Sequence, residues 1–295
     1  MSKISAIAVK QLREKTGAGV MDCKNALLEA QGNSELASEI LRAKGSVDAQ
    51  KRAGKNPLEG LIGIAREGHE KAVIVEVNVE TDSLARNAGF RDLVSQIATV
   101  ALSTDGSVES VLAAPFDDSG TTVEDKIKNH ISITGECIKL RRVSLLCVPG
   151  GVISSYVHPC PSENMGAIAV LVALRSSIEN KEALSSVGEQ IALHVALASP
   201  SVVSVQMLDS SVVASKRAGY MAEALDSGKS GNIVEKIVDG KMKGFFKECV
   251  LLDQDFVIEP SKTVSDFLKE SEKSVGYPIE VVGMLHFVLS DKEKQ

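Results

Sequence analysis

Few residues in this chain have the types and spacing that reaction chemistry needs. Gly228-Lys229-Ser230 matches the end of a phosphate-binding loop, in which backbone N–H groups cradle phosphates and the lysine reaches their outer oxygens. That loop requires a glycine five positions earlier, after a strand. Glu223 stands there, on an expected helix, so this mode of nucleotide binding is excluded. Gly17-Ala18-Gly19 lacks both the preceding strand and the third glycine of a dinucleotide fingerprint. His158-Pro159-Cys160 offers two metal ligands, but no second pair lies at a suitable spacing, which favours a hairpin loop. No GxSxG nucleophile elbow occurs, and no cysteine–histidine pair has a recognisable catalytic context. His194 lies on the otherwise apolar stretch Ile191-Ala192-Leu193-His194-Val195-Ala196, where a half-buried histidine satisfied by a hydrogen bond is the simplest reading. Thr81-Asp82-Ser83-Leu84 follows an expected strand. Thr81 or Asp82 can cap a helix there, or the loop can present a mixed polar and apolar surface to a partner. Local chemistry leaves that choice open. No catalytic residue, metal or cofactor is expected.

Bulk properties narrow the function classes further. Lys+Arg 33 against Asp+Glu 39 gives a formal net charge of −6, the wrong sign for broad binding to a phosphate backbone. Aromatics at 3% with no Trp leave no base-stacking platform, so direct nucleic-acid binding is not expected. The longest apolar run, Ala167 to Leu174, is far shorter than a membrane span. The N-terminus carries Lys3 but no sustained apolar core and no Arg-rich transit pattern. Cys23, Cys137, Cys147, Cys160 and Cys249 are odd in number and scattered, as reduced thiols are. A cytoplasmic protein is the expectation.

The elements that must position these residues follow from periodicity. Leu12 to Asn33, LREKTGAGVMDCKNALLEAQGN, reads as two short helices joined by Thr16-Gly17-Ala18-Gly19, whose glycines permit a sharp turn. Val20 and Met21 then stand near a loop surface, as core or as an apolar contact for a partner. Ile4, Ile7, Ala8 and Leu12 share one helical face, and Ala26, Leu27 and Ala30 another. Asn33-Ser34-Glu35 begins a third helix, with Leu36, Ile40 and Leu41 facing inward. The small, basic stretch 49–57 runs into Pro57, and a domain boundary is expected near residue 55.

Beyond it, Leu58 to Ile64 and Val73 to Val79 alternate as strands around a hairpin loop at Glu67-Gly68-His69-Glu70, and a helix covers Phe90 to Leu102. Residues 152–198 repeat this order. Gln96-Ile97-Ala98 recurs as Gln190-Ile191-Ala192, an offset of 94, and the same offset lays Val73-Ile74-Val75 on Ala167-Ile168-Ala169. Third strands are expected at Ile138 to Val148 and Ile279 to Leu289. Their larger offset of 141 implies an insertion in the second copy. Residues 212–250 supply it as an antiparallel helical hairpin turning at Asp226 to Asn232. The expected fold class is therefore α+β: an N-terminal three-helix domain with its linker (1–55), then a duplicated α+β core of two antiparallel-sheet subdomains (56–149 and 150–295), the second carrying the inserted hairpin.

At LREKTGAGVMDCKNAL, VNVETDSLARNAGF, IALHVA and FVIEPSKTV, in this order from about residue 2 to 289, the chain resembles the elongation factor Ts family. The helix–TGAG–helix segment is the most specific of these motifs. The resemblance implies a ubiquitin-associated-like N-terminal domain and a nucleotide exchange factor, not an enzyme, for elongation factor Tu in bacterial translation. It implies partner contacts by Val20, Met21 and Lys24 in that domain. The loop Thr81-Asp82-Ser83 is then pushed beside the partner's magnesium and switch region, and Met165, Gly166 and His194 contact the partner from the second subdomain. Elongation factor Tu would be met in its GDP-bound and nucleotide-free forms, with pairing of two such complexes a further expectation. The family usually carries Phe where this chain has Ser83. That aromatic acts as a wedge, and burying a Phe contributes about 1.5–3 kcal/mol; Leu84 is expected to take over its role, or the contacts of Asp82 to suffice. Some relatives continue into a further C-terminal helix, whose contacts are not carried over. The alternatives are a ubiquitin-associated-like adaptor without exchange activity and an enzyme using Cys160 or His194.

Overall fold

The computed structural model describes residues 4–16, 20–41, 56–118, 120–159, 162–228 and 231–289, without the side chains of 14–16. The Gly17-Ala18-Gly19 turn, the basic stretch up to the expected boundary at residue 55, Cys160 and Lys229-Ser230 lie outside the described residues. Three helices open the chain: α1 (Ala6–Thr16), α2 (Val20–Glu29) and α3 (34–41). Asn33 Oδ1 caps α3 by accepting from the N–H groups of Glu35 and Leu36 at 3.0 and 3.2 Å. Leu12, Cys23, Ala26, Leu27, Ala30, Ala37 and Leu41 form their core. Ile7 and Leu36, expected to face inward, are exposed. The core is met instead by the partly buried Val9, two positions after Ile7, and by the buried Ala37, next to Leu36.

The remaining chain builds two antiparallel sheets. Strands β1 (Glu59–Glu67), β2 (Lys71–Val79), β3 (Ile138–Cys147) and β5 (Met165–Gly166) form the first, in the order β3-β2-β1-β5. Strands β4 (Val152–His158), β6 (Ile168–Arg175) and β7 (Glu280–Val288) form the second, in the order β4-β6-β7. The sheets pack against each other through Ile62, Ile64, Ile74, Ile153, Leu171 and Phe287. Helices α4 (Asp82–Ala85), α5 (Ala88–Ala101), α6 (Val108–Ala113) and α7 (Val123–Thr134) contribute to the apolar cluster on the outer face of the first sheet. Helices α8 (Lys181–Ala198) and α11 (Val264–Val275) contribute to that on the second. Both faces of β2 are thus buried, which explains why KAVIVEVNV opens on the unbroken apolar run Ala72–Val75 rather than alternating. Although Met165–Gly166 belongs to the second half of the chain, it pairs with β1 at Ile62 and Gly63 and so extends the first sheet.

The helices keep the offset of 94. Leu93, Val94, Ile97 and Ala98 are buried on α5 as Val187, Gly188, Ile191 and Ala192 are on α8. The strands do not. In β2, Val73, Val75 and Val77 face the helices; in β6, Val170, Val172 and Leu174 do, an offset of 97. An even offset would turn the helix-facing residues onto the wrong face, because side chains alternate along a strand. A β-bulge fixes the register in each sheet, between Glu76 and Val77 and between Ala173 and Leu174. The third strands hold at 141, and so do the helices before them. Both α7 and α11 begin with a capping box, Thr122 with Asp125 and Thr263 with Asp266, and both end at a glycine with positive φ, Gly135 and Gly276.

Between α8 and α11 the chain makes a helical hairpin, α9 (Ser210–Asp226) and α10 (Asn232–Cys249). Ala224, Val234, Val238 and Met242 form its core, with Tyr220, Met221 and Phe245 packed around them. Leu225 and Ile233, which flank the turn at Asp226 to Asn232, are exposed near the tip. At its base the departing and returning segments are stitched together: Ser201 N–H donates to the Cys249 carbonyl at 2.8 Å, and Leu251 N–H to the Val202 carbonyl at 2.9 Å.

Candidate functional site

Thr81-Asp82-Ser83-Leu84 is the first turn of a short helix rather than an open loop. Thr81 is the N-cap of α4 in extended conformation, its Oγ1 accepting from the Leu84 N–H at 3.3 Å. Thr81, Asp82 and Ser83 are exposed, and Asp82 pairs with Arg86 one turn on at 3.0 Å. The turn is held from two sides. Inside, Leu84 and Ala85 join the core beneath the first sheet. Outside, the Glu136 carboxylate accepts from Thr81 N–H at 3.0 Å and from Thr81 Oγ1–H at 2.8 Å. Glu80 reciprocates by accepting the Cys137 N–H at 2.7 Å. Leu84 cannot substitute for a surface wedge: it is only 9% exposed, because the last turn of α4 must bury an apolar residue to seat on the sheet.

Met165 and Gly166 are likewise buried. Met165 lies in the same core as Leu84, and the loop before it is fixed by Arg91 of α5, whose Nη1 donates to Ser162 Oγ at 2.9 Å. Backbone crowds Gly166: a Cβ there would meet the Pro159 carbonyl at 2.3 Å. Met165 and Gly166 therefore shape this region rather than offering side chains to a partner. Exposed at that end of the sheets, with Pro159, Glu163 and Asn164, is His158, the last residue of β4, stacked on Tyr156 at 6.4 Å between ring centroids.

His194, expected as a contact, is 0% exposed. Its Nδ1 accepts the Val257 N–H at 3.1 Å, which leaves Nε2 protonated and donating to Gln254 Oε1 at 2.9 Å. Burial holds its pKa below the ordinary histidine value, partly opposed by Gln254. The ring tilts against Phe256 at 5.7 Å, which stacks on Phe267 at 4.4 Å. It is a structural tie between α8 and the segment carrying FVIEPSKTV, the satisfied histidine that the apolar helix suggested, fully rather than half buried.

On the three-helix unit, Val20 and Met21 are 50% and 63% exposed and Lys24 is also exposed. They stand where α2 begins, beside a groove of about 370 Å³ between α1 and α2, lined by Ile4, Val9, Lys10, Arg13, Val20 and Lys24. An apolar floor with a basic rim suits a partner segment of mixed apolar and acidic character.

The structure thus brings Leu84, at the end of the Thr81–Leu84 turn, together with Met165 in one core and leaves Val20, Met21 and Lys24 on a separate helical unit. Glu80, Glu136, Arg91 and Gln254 were not foreseen. Their partners lie 55 or more positions away in sequence, and no local pattern marks such a pairing. Among the described residues no group of three or more His, Cys, Asp or Glu could hold a metal, and no helix is long and apolar enough to cross a membrane.

A family model described as Elongation factor TS matches residues 80–291. The chain is 49% identical over 291 residues to elongation factor Ts of Rhizobium etli (strain CIAT 652), covering 99% of this chain and 94% of that protein. It is 49% identical over 288 residues to that of Sinorhizobium medicae (strain WSM419), covering 98% and 93%. The likeness to elongation factor Ts of Sinorhizobium fredii is 48% over 288 residues, with the same coverage. With the antiparallel α+β core, these likenesses define the class as a translation elongation factor. The chain belongs to the elongation factor Ts family.

Proposed function

We propose that this protein is a guanine nucleotide exchange factor that binds elongation factor Tu in the cytoplasm and promotes GDP release during translation elongation. The observation that carries the reading is the Thr81-Asp82-Ser83 turn, an exposed acidic turn clamped to a rigid core in a chain of this family. An exchange factor makes and breaks no covalent bond. It must bind nucleotide-free partner more tightly than nucleotide-bound partner, and by linkage it then weakens nucleotide binding by the same factor. Equal affinity for both states would change nothing. We assign that difference to Asp82, which adds negative charge beside the partner's metal and phosphates. Val20, Met21 and Lys24 supply affinity common to both states. Since His194 is buried, the contact from the second half falls to the exposed His158, with Met165 and Gly166 setting its surroundings. With Ser83 replacing an aromatic, polar contacts of Asp82 carry the work alone. We further read the chain as a ubiquitin-associated-like domain (1–55) and a duplicated core divided near residue 150. The repeated bulges and capping boxes support the duplication, and the stitched base supports an inserted hairpin.

Release of fluorescent mant-GDP from elongation factor Tu tests this. Asp82→Asn is expected to lower the release rate at saturating factor, whereas Met21→Ala raises the concentration needed for half-saturation and leaves the plateau. A full-length chain that binds elongation factor Tu without accelerating release would point to the adaptor reading instead.

A further inference from the structure

The last paired residues of β2 and β3 are Val79 and Ile138. Beyond them the two chains stay joined, but by carboxylates in place of backbone carbonyls. Glu80 reaches across to the N–H of Cys137, and Glu136 reaches back to the N–H and hydroxyl of Thr81. Two side chains thus continue an antiparallel ladder by one step while β2 turns into α4. Of the two, Glu136 bears on the site, because both its oxygens are committed to the residue that caps α4. A charged acceptor taking two donors at once fixes direction as well as distance, and α4 is too short to fix its own orientation.

We infer that Glu136 is a positioning residue for exchange: by holding Thr81 it sets the angle at which the first turn of α4 presents Asp82 to the partner. This rests on the exchange function proposed above. Glu136 sits directly after Gly135, the residue that ends α7, so the clamp also ties the acidic turn to a helix on the outer face of the first sheet. Replacement by Gln leaves one carbonyl oxygen and turns an N–H₂ group toward a second donor, so only one of the two bonds survives.

The test is stopped-flow release of mant-GDP from elongation factor Tu across a range of factor concentrations, for the wild-type chain, Glu136→Gln, Asp82→Asn and the double variant. Glu136→Gln is expected to lower the saturating rate about tenfold, the effect of losing one charge-assisted hydrogen bond from the productive geometry. The half-saturating concentration should move far less. A simply destabilised fold does the reverse, since it reduces the active fraction and leaves the plateau. In the Asp82→Asn background, Glu136→Gln should add little, because it acts through Asp82. An equal drop in both backgrounds overturns the inference. So does an unchanged plateau for Glu136→Gln alongside a slowed Asp82→Asn, a result that leaves the exchange function standing. If the wild-type chain itself fails to accelerate release, both fall. Should Glu136→Gln melt far below the wild type, Glu136→Asp keeps the charge but is one methylene too short to span both donors, and is read by the same criteria.

Discussion

His194 and His130 titrate in the same direction. Burial is the main cause of the lowered pKa of both, with Lys126 adding to it at His130. The unfolded chain therefore binds more protons than the native one between their folded pKa values and the ordinary value of about 6.5. Stability should be fully present above pH 6.5 and fall as pH drops through that window. Asp125 and Asp266, held below the usual carboxylate range by their capping threonines, add a separate loss below about pH 4. Urea unfolding at pH 7.5 and 5.5 reads the first window, and His194→Gln should shallow the slope there; a slope unaltered in the variant would remove His194 from the account. That His194 was structural could be read from its apolar neighbours. That it holds Val257 could not, because the acceptor and the amide lie 63 positions apart. Leu84 carries the converse lesson. Its position after an acidic turn suggested a surface role, yet a four-residue helix has to bury something. Leu84→Ala should therefore cost about 2–5 kcal/mol of stability and is a poor probe of exchange.

At the scale of elements, the hairpin has a weakness that can be repaired. Gly219 lies inside α9, and Gly240 and Gly244 lie inside α10. A Cβ on any of them would meet nothing within 4 Å. Glycine in a helix interior is about 0.5–1 kcal/mol less stable than alanine. Each Gly→Ala change should stabilise the hairpin by that order, seen as slower amide exchange in α10. A neutral or negative result would mean that the helix backbone there is not regular. The hairpin itself was legible from the enlarged offset of the third strands and from the turn at Asp226 to Asn232. Its exact seam was not: Ala224 and Val234 close the tip where Leu225 and Ile233 had the larger apolar side chains. Helices α6, α7 and α11 left weaker traces. The capping boxes that begin α7 and α11 were present in the sequence, whereas the packing that makes these segments helical comes from distant strands.

Across the whole molecule, one charged cluster is buried where the two sheets meet. Glu76 is fully buried between the sheets; its carboxylate meets Arg142 Nε at 2.6 Å, lies 3.7 Å from Arg141 Nη1 and accepts from Asn78 Nδ2 at 3.1 Å. Arg142 also donates to the Val288 carbonyl at 2.8 Å and lies 4.0 Å over the Phe287 ring, so it links the first sheet to the last strand of the second. Arg142→Ala should cost up to about 3–5 kcal/mol, because only the longer Arg141 contact and the Asn78 hydrogen bond then remain to the buried carboxylate, whereas Glu76→Leu with Arg142→Met removes that charge and should cost less; equal losses in urea unfolding would refute this. The repeat was visible in the sequence through one triplet on two helices. The strand register was not, because β2 and β6 carry apolar residues on both faces, and the two polar residues inside β2, Glu76 and Asn78, have no counterparts in β6 that would fix an even or an odd offset. The stitched base of the hairpin has a kinetic consequence. Arg175 must find Glu280, 105 positions away, for the second sheet to close. Once Val202 meets Val250, 48 of those positions are short-circuited, and the search nearly halves at a saving of about 0.6 kcal/mol in loop entropy. The long excursion is thereby made topologically cheap, and the second sheet can close almost as though the hairpin had never been there.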